Sequence, residues 1–209
     1  MRGPASKFVL VSALLFLFWT PLSRAYLAFL SFEANAVFGL IHHPARLEAD
    51  RGSASILYPN VFPPHPLKKD IRIPILQGIA IYFNLIVLIA LFAVTPGMPR
   101  GKKIRGIAIG GLVLSLLHVF HVYLLSYLFI WDYVDGRRWP FEISAGDVQQ
   151  LRENVESGFP RSFQPYVSGV LTYWNHFIRE GAALLIYLYF AYPSLQGFWQ
   201  EAQGRSKGR

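Results

Sequence analysis

Long apolar stretches alternate with polar connections along this chain. The four stretches cover residues 8–41, 71–94, 104–131 and 166–192. A helix needs about 20 mostly apolar residues to cross a bilayer, so each stretch is long enough for one span. The pattern therefore predicts an all-α integral membrane protein, with a bundle of about four transmembrane helices and two long outer-face loops.

The first stretch permits two interpretations. A basic start followed by apolar residues 8–19, with Ser23 and Ala25 at the spacing that a signal peptidase reads, is the layout of a signal peptide. The alternative is an uncleaved anchor whose helix bends at Pro21 and continues to Ile41. Because the apolar content persists well past Ala25, the pattern favours the anchor.

The composition agrees with a membrane protein. Of the 209 residues, 53% are hydrophobic and 15% are charged, against about 25% charged in ordinary soluble domains. We therefore expect residues 1–195 to form a single polytopic membrane domain in contact with membrane lipid, followed by a basic cytoplasmic tail at 196–209.

The distribution of the net charge of +8 orients the predicted spans. The link between the second and third stretches carries four bases and no acid: Arg100, Lys102, Lys103 and Arg105. Positive charge in short links marks the cytoplasmic side. The connection 132–165 holds six acids against four bases, so it is predicted to lie outside, together with 42–70. Both termini are then cytoplasmic in a bacterial-type inner membrane, and nucleic acid is not an expected partner.

The connections also carry local signals. Five prolines within 43–70 exclude a long helix there, while 55–58 and 71–73 are predicted as short strands or extended pieces. Residues 144–157 predict a short surface helix that ends near Gly158. Residues 203–209 are predicted to be disordered.

Cysteine is absent, which excludes disulfides, thiolate metal sites and a cysteine nucleophile. The chain also lacks a P-loop, a G-x-S-x-G elbow and an H-E-x-x-H motif. The small residues Gly106, Gly110 and Gly111 are interpreted as positions that allow close helix approach. No metal and no cofactor is expected.

Polar residues inside the apolar stretches are the candidates for a functional site. His118 and His121 are three apart and share one helix face, and His176 and Glu180 are four apart and do the same. With the predicted topology, they meet Gln77 at similar depth below the outer surface. The candidate binding residues are Gln77, Asn84, His118, His121, Asn175, His176, Arg179 and Glu180.

Several roles for these residues stay open. Intramembrane histidines and amides often only form hydrogen bonds between helices. An enzyme is the second possibility, with His176 as a base oriented by Glu180 and with His121 as a further catalytic candidate. A third is a subunit that binds a b-type haem, with His118 and His176 as axial ligands. A site made of histidines alone is a weaker metal candidate, since His42 and His43 lie in a loop.

Three segments together resemble the exosortase and archaeosortase membrane transpeptidases. Segment 75–84 is similar to the span that carries the cysteine of that family, with Gln77 at the expected position of the nucleophile. Segment 118–123 resembles the N-x-x-R element, with His118 and His121 at its two polar positions. Segment 174–181 resembles the histidine element, and His176 carries the residue of the family.

The resemblance implies a role in protein sorting without the acyl-transfer reaction of the family. These enzymes form an acyl intermediate on a thiolate, and an amide at Gln77 cannot attack a peptide carbonyl. The resemblance therefore implies a non-catalytic or altered relative. Such a protein would bind or present a sorting-signal substrate, or a partner sorting enzyme of the cell envelope, at the outer face.

Overall fold

The computed structural model describes residues 4–50, 53–58, 71–76, 83–135, 145–177 and 181–207, and the protein is mostly helical (81%). The helices are α1 (Pro4–Leu17), α2 (Trp19–Leu40), α3 (Phe83–Val94), α4 (Arg100–Val134), α5 (Ala145–Gly158), α6 (Gln164–His176) and α7 (Ala182–Lys207). The strands are β1 (Arg46–Asp50), β2 (Ser53–Tyr58) and β3 (Ile71–Leu76). A single 3-10 turn, Arg161–Phe163, precedes α6.

The chain divides into two compact units. Unit 1 contains the described residues of 1–22, 79–117 and 176–209, and unit 2 contains those of 23–78 and 118–175. Helix α4 contributes its first half to unit 1 and its second half to unit 2.

In unit 1, helix α3 packs against α1 and α7. Its core consists of Leu88, Phe92, Met98, Ala183, Tyr187 and Ala191. A Cβ on Gly106 would lie 2.5 Å from Cε1 of Phe92, and one on Gly110 would lie 2.9 Å from Cγ2 of Ile186. These two glycines therefore permit the close approach that the sequence predicted.

In unit 2, the strands form an antiparallel sheet in the order β1-β2-β3. Arg46 pairs with Leu57, and Tyr58 pairs with Ile71. A side chain of helix α2 holds the edge strand β1. Asn35 accepts a hydrogen bond from the amide of Leu47 at 2.8 Å and donates one to the carbonyl of Leu47 at 2.9 Å. These bonds satisfy backbone groups that an edge strand otherwise leaves unpaired.

The sheet corrects two predictions. The fold is mostly helical but not all-α, and residues 71–76 form a strand instead of the start of the second span. The described helical part of that stretch, α3, has 12 residues, fewer than the about 20 that a span needs. The strand predictions at 55–58 and 71–73 are confirmed.

Within the described ranges, α4 is the one helix that is long and apolar enough to span a membrane. Helices α1 and α2 would add a second span if they act as one broken helix. The four-span bundle is not confirmed, since the last apolar stretch is described as α6 and α7 with residues 178–180 outside the description.

Two local predictions have clear outcomes. The surface helix predicted at 144–157 is confirmed as α5. The predicted disorder of the tail is wrong, because α7 continues through Lys207. Gln203, Arg205 and Lys207 are good helix formers and extend the helix past Gly204.

Candidate functional site

The polar cluster predicted from three spans is not assembled within either unit. His118 and His121 belong to unit 2, whereas Asn84 and His176 belong to unit 1. Asn84 is buried near the start of α3, and His176 is exposed at the end of α6. Asn175 also lies in α6, and Gln77, Arg179 and Glu180 fall outside the described residues. The pairing of His176 with Glu180 therefore stays a prediction.

The two histidines of α4 are both buried in unit 2. The side chain of His118 is 1% exposed and that of His121 is 8% exposed. Nδ1 of His118 forms a hydrogen bond with the hydroxyl of Tyr26 on α2, and the two rings meet edge to face with centroids 5.9 Å apart. An interhelical hydrogen bond of this kind is one of the roles that the sequence left open.

In unit 2, buried atoms of three ionisable side chains have no hydrogen-bond partner among the described residues. They are Nε2 of His118, Nδ1 of His121 and Oε2 of Glu33. Glu33 follows Tyr26 by seven residues, which is about two helical turns and places both on one face of α2. A buried polar atom without a partner costs about 1 to 3 kcal/mol. A polar group that bound to these atoms would offset that cost.

These atoms offer hydrogen bonds and do not form a metal site. Within the described ranges, no group of three His, Asp or Glu side chains is placed to hold a metal ion. A neutral imidazole presents one donor and one acceptor, and a carboxylate presents acceptors. Each atom is complementary to a group such as an amide or a hydroxyl, and such a group would reach it only through local opening, because all three atoms are buried.

A second polar centre of unit 2 surrounds His43, which the sequence placed in a loop. The amide of Ala45 donates to Nδ1 of His43 at 3.2 Å, and Nε2 of His43 lies 3.1 Å from Oγ of Ser126. The hydroxyl of Ser126 donates to the carbonyl of Tyr123 at 2.6 Å. The hydroxyl of Tyr58 donates to the carbonyl of Ser126 at 2.6 Å. The centre therefore joins the loop that follows α2 and strand β2 to α4.

The direction of these hydrogen bonds excludes a serine nucleophile activated by His43. Because the Ala45 amide occupies the lone pair of Nδ1, the neutral ring carries its proton on Nε2 and donates to Ser126. A general base needs the opposite arrangement, in which Nε2 accepts the serine proton. The His43–Ser126 pair is therefore a structural link.

Aromatic rings contact the half-buried imidazole of His43. Its centroid lies 4.5 Å from that of Phe38, 5.2 Å from that of Tyr123 and 5.1 Å from that of Phe159. Burial lowers the pKa of His43 to about 4, because the rings exclude the water that would solvate an imidazolium. Burial also raises the pKa of Tyr58 well above its ordinary value. Both groups are neutral at physiological pH.

No local signal identifies His43 from sequence. His42 and His43 are adjacent in the same loop, and the partner of His43 is 83 residues away. The pairing depends on long-range contacts that a single sequence does not encode in a readable pattern.

Comparison of the chain with protein-family models, curated proteins and solved structures gave no match.

Proposed function

We propose that this chain is a non-catalytic, multi-pass membrane protein of exosortase-like layout. In this proposal, unit 2 binds an envelope protein at the outer face, either a substrate with an apolar C-terminal sorting helix or a sorting enzyme. The three buried polar atoms of His118, His121 and Glu33 carry the proposal, because they offer hydrogen bonds that the described protein does not use.

The length and charge of α4 support a place in the membrane. A helix of 35 residues is about 52 Å long, which exceeds a hydrocarbon core of about 30 Å. Its first turn carries Arg100, Lys102 and Lys103, and its last residues include Asp132. This polarity agrees with a cytoplasmic start and an outer end.

Exposed apolar side chains give independent support. Large hydrophobic residues are exposed on α1, α4 and α7, among them Leu17, Leu112, Leu116, Leu185 and Leu188. A soluble monomer rarely exposes large contiguous apolar surfaces. Lipid would cover these side chains in the proposed inner-membrane location, with four spans and both termini cytoplasmic.

A further apolar stripe favours a protein partner for unit 2. Helix α6 exposes Tyr166, Val170 and Tyr173 at spacings of four and three residues, so they share one face. Tyrosine supplies apolar contact area and a polar hydroxyl, and it is enriched in protein interfaces. The stripe is suited to contact the apolar helix of a partner.

Binding without acyl transfer is favoured by the chemistry of unit 2. The chain has no cysteine. The hydroxyl of Ser126 is committed to the Tyr123 carbonyl, and His43 donates to Ser126 instead of accepting its proton. The hydroxyl of Tyr26, which contacts the buried His118, is committed to that hydrogen bond.

The proposal is tested with the purified full chain in lipid nanodiscs. A fluorescent peptide made of an apolar helix and a polar C-terminal tail is titrated, and binding is followed by anisotropy. We expect His121→Ala and Glu33→Gln to weaken binding about tenfold, which corresponds to about 1.4 kcal/mol for lost hydrogen bonds to the ligand. Ser168→Ala, an exposed change on α6, serves as the matched control and retains the affinity.

Two results would contradict the proposal. A covalent adduct of the peptide in the mass spectrum of the intact protein would show acyl chemistry. Equal affinities of the wild type, His121→Ala and Glu33→Gln would show that the buried atoms do not contribute to binding.

A further inference from the structure

Unit 1 contains a cavity at the link between α3 and α4. Its volume is about 340 Å3, within the range of about 300 to 1,000 Å3 that is typical of small-molecule sites. The cavity is lined by Lys7, Leu10, Val11, Ala93, Val94, Thr95, Pro96 and Lys103. The lining thus includes two lysines, and no carboxylate is among the described lining residues.

Lys103 is held in a defined position. Its Nζ donates to the carbonyl of Ala93 at 2.7 Å, in the last turn of α3, where helix carbonyls lack intrahelical partners. An ammonium group has three donors, so two remain for a ligand. Lys7 on α1 brings a second positive charge to the same cavity, and the two charges repel each other. A bound anion would neutralise both.

Hydrogen bonds hold Thr95, which lines the cavity. Oγ1 of Thr95 donates to the carbonyl of Leu91 at 2.7 Å and accepts the hydroxyl of Tyr187, 3.0 Å away. Gly97 has φ of 69°, a left-handed conformation that favours glycine and turns the chain from α3 towards α4. The link therefore holds Pro96 and Lys103 in fixed positions on either side of the turn.

We propose that this cavity binds the phosphate group of an anionic phospholipid. Lys7 and Lys103 would contact the phosphate, and Leu10 and Val11 would contact the glycerol and the first acyl carbons. The exposed Leu14 and Leu17 continue the apolar surface of α1, so the acyl chains of a phospholipid would lie along it. A free phosphate ion would make no contact with this apolar surface. Basic pockets near the cytoplasmic ends of membrane helices bind such headgroups, and the charge of this link predicts that side.

The test compares lipid retention by the full chain in nanodiscs of phosphatidylglycerol or phosphatidylcholine. After transfer to detergent, native mass spectrometry counts the lipids that remain bound. We expect the wild type to retain phosphatidylglycerol over phosphatidylcholine. The double variant Lys7→Gln/Lys103→Gln should lower that preference about tenfold or more, as expected from the loss of two charge contacts.

Matched variants separate a specific site from general surface charge. Lys102→Gln removes one charge next to Lys103 without changing a lining residue and should retain the preference, while Lys7→Arg should keep it because the charge remains. Equal losses in Lys102→Gln and in the double variant would overturn the site. A wild type that binds inorganic phosphate at the two lysines without retaining phosphatidylglycerol would overturn the lipid as the source. The proposed function of unit 2 is unaffected by either result.

Discussion

Nε2 of His43 donates a hydrogen bond to Oγ of Ser126, 3.1 Å away, although the two residues are 83 positions apart in the sequence. The bond joins the loop that follows α2 to α4, and the aromatic rings around the half-buried His43 partly shield it from water. Because this histidine must stay neutral to keep the arrangement, the stability of the protein depends on pH.

The free energy of unfolding should fall as the pH falls from 6.5 towards 4. The folded pKa of His43, about 4, is below its ordinary value of 6.5, so the unfolded chain binds the proton first and protonation favours unfolding. The contribution is fully present above pH 6.5. At pH 5 the loss should be about 1 to 2 kcal/mol.

This loss is measured as the difference between the wild type and His43→Gln in urea unfolding at pH 7 and pH 5 in detergent. His43→Gln should be less stable at pH 7 and less sensitive to pH, because it lacks the titrating group. His42→Gln is the control, since the side chain of His42 is exposed. Parallel pH curves for the wild type and His43→Gln would contradict the prediction.

Tyr26 and His118 should show an energetic coupling. Tyr26→Phe and His118→Gln each disrupt the hydrogen bond between α2 and α4, so the double variant should lose less stability than the sum of the two. The coupling expected for a hydrogen bond between membrane helices is about 0.6 to 2 kcal/mol. A cycle of Tyr26→Phe with Ser168→Ala provides the additive control, and additivity for the His118 pair would disprove the interaction.

Gly106→Ala should destabilise unit 1 even though alanine is the better helix former. The new Cβ would lie 2.5 Å from the buried ring of Phe92, and overpacking of this kind costs about 1 to 3 kcal/mol. Gly101→Ala is the matched control, because nothing lies within 4 Å of its Cβ position. Thermal unfolding in detergent measures both.

A second change checks the cause of the Gly106→Ala effect. Phe92→Leu removes the part of the ring that the Cβ would meet, so the variant Gly106→Ala/Phe92→Leu should recover stability relative to the sum of the single changes. Equal melting temperatures of Gly106→Ala and Gly101→Ala would show that α3 and α4 do not need the glycine.

The absence of cysteine makes the predicted topology directly testable. Single cysteines introduced as Pro64→Cys and Gly146→Cys should react with a membrane-impermeant maleimide in intact cells. Gly101→Cys and Gly204→Cys should react only after permeabilisation, because the basic link predicts a cytoplasmic location. Protection of Gly146→Cys in intact cells would contradict the orientation, and the cysteine-free wild type sets the background.

The sequence by itself determined the features that depend on local composition. Neighbouring residues are enough to predict the apolar run of α4 with its basic start, and helix α5 with its end near Gly158. They also indicate the small residues Gly106 and Gly110. The reason is that helix formation and membrane insertion respond to short-range patterns. The strands at 53–58 and 71–76 were visible only in part, since an apolar run permits either a strand or a helix.

Tertiary structure decided which polar residues meet. Tyr26 selects His118 from the two histidines of α4, and His43 gains Ser126 and its aromatic enclosure, through contacts across 92 and 83 residues. The cavity lined by Lys7 and Lys103 likewise forms because α1 packs beside the α3–α4 link. Such pairings are set by how buried faces pack together, and spacing along a single chain contains no information about the partner that packing supplies.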